Sequence, residues 1–194
     1  MLKGKMDKRV QKTQQSLRSA LLDLMIECGY ERLSVQQILD RAGVGRATFY
    51  LHYRSKEDLL RKSLDQLREH LIQEWQTTLK GKAQSKAPLG FSLAFFRHVD
   101  SHRRLYQAVV GRESGVIVDR QMRRLLTELV KESVSLGQRE RNRILGEMAA
   151  QYVAGALMSI VTWWLDRNVN LSPEEIDSAF LQMTIPALRS IGHL

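Results

Sequence analysis

The sequence predicts an all-α protein in two parts. An N-terminal three-helix unit of the helix-turn-helix kind is followed by a C-terminal helical body, and a long fourth helix links them. Three observations carry this expectation. Apolar residues recur at helical spacing along most of the 194-residue chain, and no stretch alternates as a strand does. There are only 3 prolines, and hydrophobic content is 43%, which suits long helices with enough apolar surface for a core. Finally, LSVQQILDRAGVGRATFYLHYRSK, residues 33–56, compresses two helix starts and one tight turn into a short span.

Residues 1–7 are polar and basic and are expected to be mobile. If ordered on nucleic acid, Lys3, Lys5 and Lys8 would reach its backbone or minor groove; a tail without a role fits the sequence equally well. The first helix runs from Lys8 to Cys28 on a stripe of Val10, Leu17, Leu21, Leu24, Met25 and Cys28, and Gly29 ends it. Ser34 then caps a second helix, Gln37 closes a capping box, and Leu33 and Ile38 stand where a hydrophobic staple forms. Ile38, Leu39 and Ala42 give that helix its apolar face, and Gly43 supplies the positive φ with which helices often end. A third helix of about two turns spans Gly45 to His52. Phe49 turns inward with Val44, leaving Gly45, Arg46, Ala47, Thr48, Tyr50 and His52 outward. Ser55 starts a fourth helix with Glu57 and Asp58 in its first turn, and Leu60, Leu64, Leu67, Leu71 and Trp75 form its stripe.

The C-terminal body begins after the loop GKAQSKAP, residues 81–88. Helices are expected over 89–100 with Phe91, Phe95 and Phe96, over 101–110 with Tyr106, over 116–136 closed by Gly137, and over 139–168. Ser172-Pro173-Glu174-Glu175 opens a last helix to about Ile191, which Pro186 should kink or loosen.

Charge separates the two parts. The formal net charge is +9; residues 1–62 hold 13 Lys/Arg against 7 Asp/Glu, a net of +6, and the remainder holds 17 against 14, a net of +3. A positive excess on the helix-turn-helix part is what phosphate neutralisation requires. Cys28 is the only cysteine, so no intramolecular disulfide forms, and a reducing cytoplasm fits. The N-terminus lacks the apolar run of a secretory signal. The longest apolar stretch, 148–165, is interrupted by Gln151, Gly155, Ser159 and Thr162, and reads as a buried helix rather than a membrane span.

The outward set of the third helix suits a DNA major groove. Small residues let the backbone approach closely, Arg46 can pair with guanine, and Thr48 or Tyr50 can donate to phosphate or pack on a thymine methyl. Lys56, at a helix start, can meet a phosphate together with the helix N-terminus. The phrase T-F-Y-x-H-Y-x-S-K-E after A-G-V-G, within a match from Arg9 to Leu67, resembles the DNA-binding domain of TetR-family transcriptional regulators. Gly45 stands where that family often has serine, and Ala47 where it often has glycine; both remain small. The resemblance implies a DNA-binding domain over 8–68, with its helix-turn-helix at about 34–53, and a regulatory and dimerisation domain over 69–194. It also implies Ser34, Gly45, Arg46, Ala47, Thr48, Tyr50, His52 and Lys56 as DNA-contacting residues. The implied function is a ligand-responsive repressor, with an activator of the same fold as the alternative, binding a palindromic double-stranded operator as a homodimer in the cytoplasm, with no cofactor.

In the C-terminal part, Phe95, Phe96, Tyr106, Met122, Met148, Tyr152 and Trp163 are candidates to line an apolar effector pocket, with plain core as the alternative. Trp163 and Trp164 point about 100° apart, so at most one faces a central pocket squarely. By analogy with the family, the last two helices of each subunit would pair in a dimer. Val153, Ala156, Ile160, Ile176, Phe180, Met183 and Leu188 are the candidate interface residues. His98 and His102 can share a metal only on one unbroken helix, and Asp100-Ser101 reads as a break that separates them. No nucleophile elbow, Walker loop, H-E-x-x-H or C-x-x-C occurs. A small helical enzyme on an apolar substrate, or an interaction module, would leave Arg46 to Lys56 without a purpose.

Overall fold

The structure is a computed structural model that describes residues 8–80, 88–110, 115–134 and 140–191, with all their side chains except those of 78–80 and 140–142. The expected N-terminal arm, most of the 81–88 loop and Gly137 lie outside these residues. Among the described residues there are nine helices and no strand.

Helix α1 (Lys8–Cys28) buries Leu17, Ala20, Leu21, Leu24 and Met25. Helix α2 (Val35–Ala42) starts at Ser34, whose hydroxyl accepts from the Gln37 amide while the Gln37 side chain returns to the Ser34 amide. Gly43 ends it in the left-handed region, φ 64°, where a Cβ would cost about 1 kcal/mol or more. Val44 then donates to the Leu39 carbonyl at 3.1 Å, and α3 (Arg46–His52) follows at once. A bidentate pair, Arg41 to Glu27 at 2.7 and 2.8 Å, ties α2 to α1.

Helix α4 (Lys56–Lys80) is unbroken across 25 residues, roughly 38 Å. It packs on α1 at one end and on α5 (Phe91–Ser101) and α7 (Val116–Ser133) further along. Where it meets α5, the Trp75 ring stands edge-on to Phe91 at 6.4 Å. The indole also covers Gly90: a Cβ there would lie 2.2 Å from Trp75 Nε1.

The C-terminal body is completed by α6 (Arg103–Val109), α8 (Glu140–Asp166) and α9 (Pro173–Ser190). Its centre is aromatic. Phe96 meets Trp164 at 6.3 Å and Phe180 at 6.0 Å, both edge-on, which adds specific geometry to apolar burial. Helix α9 begins with a second capping box, Ser172 with Glu175, and is fastened to α5. The buried Ser92 hydroxyl donates to the Asp177 carboxylate, and Arg97 pairs with Glu174 at 2.8 Å at the surface. The helix continues past the exposed Pro186 to Ser190.

Helix α6 also packs on α1, so the two halves meet through a second contact besides α4. The segment Arg143–Asp166 is long and apolar enough to cross a membrane by length and composition alone. In the fold, Ala150, Val153, Ala154, Leu157, Met158, Val161 and Trp164 pack inward, and α8 lies along α7.

Candidate nucleic-acid interface and seam cavity

Helix α3 is short and is held from beneath. Phe49 is fully buried between Tyr50, edge-on at 5.3 Å, and Tyr53, at 5.6 Å. At 100° per residue, Ala47 and Leu51 lie opposite Phe49 and form the outward centre of the helix. Gly45, Arg46, Ala47 and Tyr50 are exposed, while Thr48 and His52 are half-buried at its edges. Arg46 is prepositioned: its Nη2 donates to Gln36 Oε1 at 3.1 Å, and Gln36 donates to Asp40 at 2.8 Å. Leu51, which is not among the residues expected to face outward, is 80% exposed beside a Tyr50 at 53%. Its position two residues from the inward Phe49 was the available signal.

Lys56 differs from expectation. Its ammonium lies against the carbonyls of Tyr30, Glu31 and Leu33, and over the Tyr30 ring at 4.8 Å. An ammonium has three donors, so the phosphate expected of it would have to compete with the α1–α2 loop. Lys62 acts likewise one turn and a half further on, with Nζ 2.6 Å from the His52 carbonyl at the end of α3. Two lysines of α4 therefore clasp the reading unit. Ser34 has its hydroxyl committed to the α2 cap, exchanging hydrogen bonds with Gln37.

The expected pocket residues divide into three groups. Tyr106 and Met122 line a cavity of about 330 Å³. Phe95 and Phe96 are fully buried in the core and are absent from that lining. Met148, Tyr152 and Trp163 point away from the core, at 62%, 58% and 48% exposure, because Trp164 takes the inward position. The cavity lies on the seam between the halves: Arg18, Leu22 and Met25 of α1 and Leu60, Leu64 and Leu67 of α4 face Leu105, Val109 and Val118 across it.

His70, His98 and His102 gather at one corner of the cavity. Helix α5 ends at Ser101 and His102 is its C-cap, so a break is present, yet the two histidines are not separated. Their rings stack at 4.2 Å and 29°, and the His70 ring is 6.5 Å from that of His98. His102 Nδ1 lies 3.0 Å from the His98 carbonyl and 2.9 Å from the Ser101 hydroxyl, which holds the ring in place. Burial, then the neighbouring His102 and His70, lower the pKa of His98 from 6.5 to about 4. Among the described residues no group of three or more His, Cys, Asp or Glu is placed to hold a metal ion.

The expected dimer residues also divide. Val153, Ile176, Phe180 and Leu188 are buried within the protomer, because α8 and α9 use those faces against α5 and α7. Ala156 and Ile160 are half-buried, and Met183 is exposed. The outward apolar ridge of α8 is instead Ile144, Met148, Tyr152 and Trp163.

A capped α2, a tight glycine turn and a short, exposed α3 on a basic N-terminal unit define a helix-turn-helix DNA-binding protein, here carrying an all-helical C-terminal body. The comparisons with known proteins make this specific. The pattern of bacterial regulatory proteins of the tetR family matches residues 17–62, and that of a transcriptional regulator C-terminal region matches residues 86–185. The chain belongs to the TetR family of DNA-binding transcriptional regulators. It is 26% identical over 179 residues to the HTH-type transcriptional regulator YxbF of Bacillus subtilis (strain 168). That match takes in 91% of this chain but 45% of YxbF, so the chain spans less than half of that relative. Its fold is similar to that of a TetR-family regulator from Syntrophomonas wolfei, with a TM-score of 0.66 at 18% identity over 95% and 97% of the two chains. It is also similar to FadR of Bacillus subtilis in complex with stearoyl-CoA, with a TM-score of 0.56 at 20% identity over 88% and 96%.

Proposed function

We propose that this regulator is a cytoplasmic, ligand-responsive repressor that binds a palindromic operator as a homodimer. The observation that carries the reading is the outward face of α3: small at Gly45 and Ala47, with Arg46 held by Gln36 and with Tyr50 and Leu51 exposed. Arg46 reads guanine, Tyr50 and Leu51 pack on thymine methyls, and Thr48 and His52 meet the sugar-phosphate edges. Lys62 ties the end of α3 to α4 and Lys56 ties the α1–α2 loop to it, so a tilt of α4 carries the reading unit with it.

A second copy supplies the second half-site, about 34 Å or a multiple away. The ridge Ile144, Met148, Tyr152 and Trp163, with Met183 of α9, is the surface proposed to meet it. An effector in the seam cavity touches α1 and α4 on one side and α6 and α7 on the other. Its binding favours one spacing of the two reading helices only as far as its affinities for the two spacings differ.

Selection of binding sequences from a random DNA pool, with affinity followed against salt, tests this reading. A palindrome with half-sites one helical turn or two apart is expected. Recovery of only salt-sensitive, sequence-blind binding would overturn it.

A further inference from the structure

Arg46 is held by a chain of side chains that starts on the preceding helix. Asp40, Gln36 and Arg46 are all exposed on the reading unit. Gln36 and Asp40 stand four positions apart on α2, so they share a face, and Gln36 Nε2 donates to Asp40 Oδ1 at 2.8 Å. The Gly43 turn then brings Arg46, ten positions beyond Gln36, back alongside the first turn of α2. Its Nη2 donates to Gln36 Oε1 at 3.1 Å. The amide is thus fixed at both ends by a charged group. Turned over, it would set its oxygen against the carboxylate and its N–H groups against the guanidinium. Hydrogen bonds to an ionised partner are the stronger kind, and linked ones polarise each other, the more so where bound DNA excludes water. Gln36 takes one donor of Nη2, so the rest of the guanidinium fork stays available for O6 and N7 of guanine.

Asp40 has little else to gain where it stands. It lies in the last turn of α2, where the helix dipole disfavours an acid, and aspartate is a poor helix former. The first helix of a helix-turn-helix crosses the DNA backbone, where a carboxylate repels phosphate. The adjacent Arg41 is paired instead with Glu27 of α1. Among the described residues, the one hydrogen bond of the Asp40 carboxylate is with Gln36. From this chain we propose that Gln36 and Asp40 are specificity-determining residues that touch no base: they hold the Arg46 guanidinium in the pose that pairs with one guanine. A long side chain ordered before binding costs less to immobilise at the interface. This rests on the proposed pairing of Arg46 with guanine.

The test uses the full chain, the selected operator, and versions of it carrying each of the four bases at the position that Arg46→Ala relaxes. Gln36→Met and Asp40→Ala should each cut the preference for guanine by about three- to tenfold, the worth of one immobilised long side chain. Asp40→Asn, which keeps an acceptor for Gln36, should retain most of that preference. Binding to random DNA should be unchanged in Gln36→Met and no weaker in Asp40→Ala, which loses a negative charge. In an Arg46→Ala background neither change should alter base preference. Thermal unfolding guards the variants, which should melt no lower than wild type because both positions are exposed. A guanine preference unchanged in Gln36→Met and Asp40→Ala would overturn the inference and leave base reading by Arg46 standing. Equal losses on operator and random DNA, or a loss that persists without Arg46, would do the same. If Arg46→Ala relaxes no position, or no operator is selected, base reading by Arg46 fails and the inference falls with it.

Discussion

The ammonium of Lys56 lies 2.7 Å from the carbonyl oxygen of Leu33, with the carbonyls of Tyr30 and Glu31 at 3.1 and 3.3 Å. It closes the α1–α2 loop onto the start of α4. Lys56→Met should therefore lower the stability of the reading unit by about 1–3 kcal/mol, as part-buried carbonyls lose a charged donor. The salt slope of DNA binding should change by less than the roughly one unit of a free phosphate contact. Thermal unfolding and a salt series decide. An unchanged melting temperature with a full unit lost from the slope would return Lys56 to the DNA backbone.

Arg46 and Leu51 should separate two kinds of base reading. Arg46→Ala should cost about 1–3 kcal/mol on the selected operator and relax one guanine position. Leu51→Ala should cost less, and its loss should be matched by replacing thymine with deoxyuridine at one operator position. If the uracil operator binds wild type as tightly as the thymine operator, Leu51 makes no methyl contact.

Met148→Glu places a charge on the exposed ridge of α8, where Met148 is 62% exposed. The variant should fold with wild-type helicity and sediment as a monomer. Val153→Glu, on the buried side of the same helix, should fail to fold. A Met148→Glu protein that remains dimeric would move the interface elsewhere.

Acidification should act through His98. Its pKa is about 4 in the folded protein against an ordinary 6.5, so the unfolded chain binds the extra proton between these values. The contribution is fully present above 6.5 and is lost as pH falls toward 4, up to about 3 kcal/mol. The groups facing it are His102, His70 (itself 3.3 Å from Glu74) and Tyr106, with Arg18 across the cavity. Melting temperature against pH should flatten over this window in His98→Leu. A wild-type curve already flat between pH 4 and 6.5 would exclude the effect.

Asp177 has its pKa raised by burial, against the lowering effect of its Ser92 hydrogen bond. For a raised carboxyl, stability falls as pH rises above the unfolded value. Asp177→Asn keeps an acceptor for Ser92 without a buried charge, so it should raise the melting temperature at pH 7 by the equivalent of about 1 kcal/mol, and the gain should shrink in acid. A lower melting temperature at pH 7 would show that the charge is stabilising.

Local structure was legible because its causes are local. The Ser34–Gln37 and Ser172–Glu175 caps, the Gly43 turn and the inward Phe49 all follow from residues within a few positions. The partners of Lys56 lie 23 to 26 positions away, and no periodicity reveals them. Helix α8 misled for another reason. It carries apolar residues on both sides, so composition gives no contrast between core and surface, and the inward position falls to Trp164 rather than to the expected Trp163. The cavity depends on α1 packing against α6, a contact between halves that the sequence does not announce. Of the expected pocket residues, Tyr106 and Met122 reach it because α6 and α7 border that contact.

The Trp75 indole resting on Gly90 also constrains how relatives of this chain can diverge. Any side chain at position 90 would occupy the space of the ring, and the ring is already wedged against Phe91. Neither position can change first without loss unless the tryptophan shrinks before the glycine grows. In a set of natural variants, a large aromatic at 75 and any residue but glycine at 90 should be mutually exclusive, a paired signature that can be read without purifying a protein.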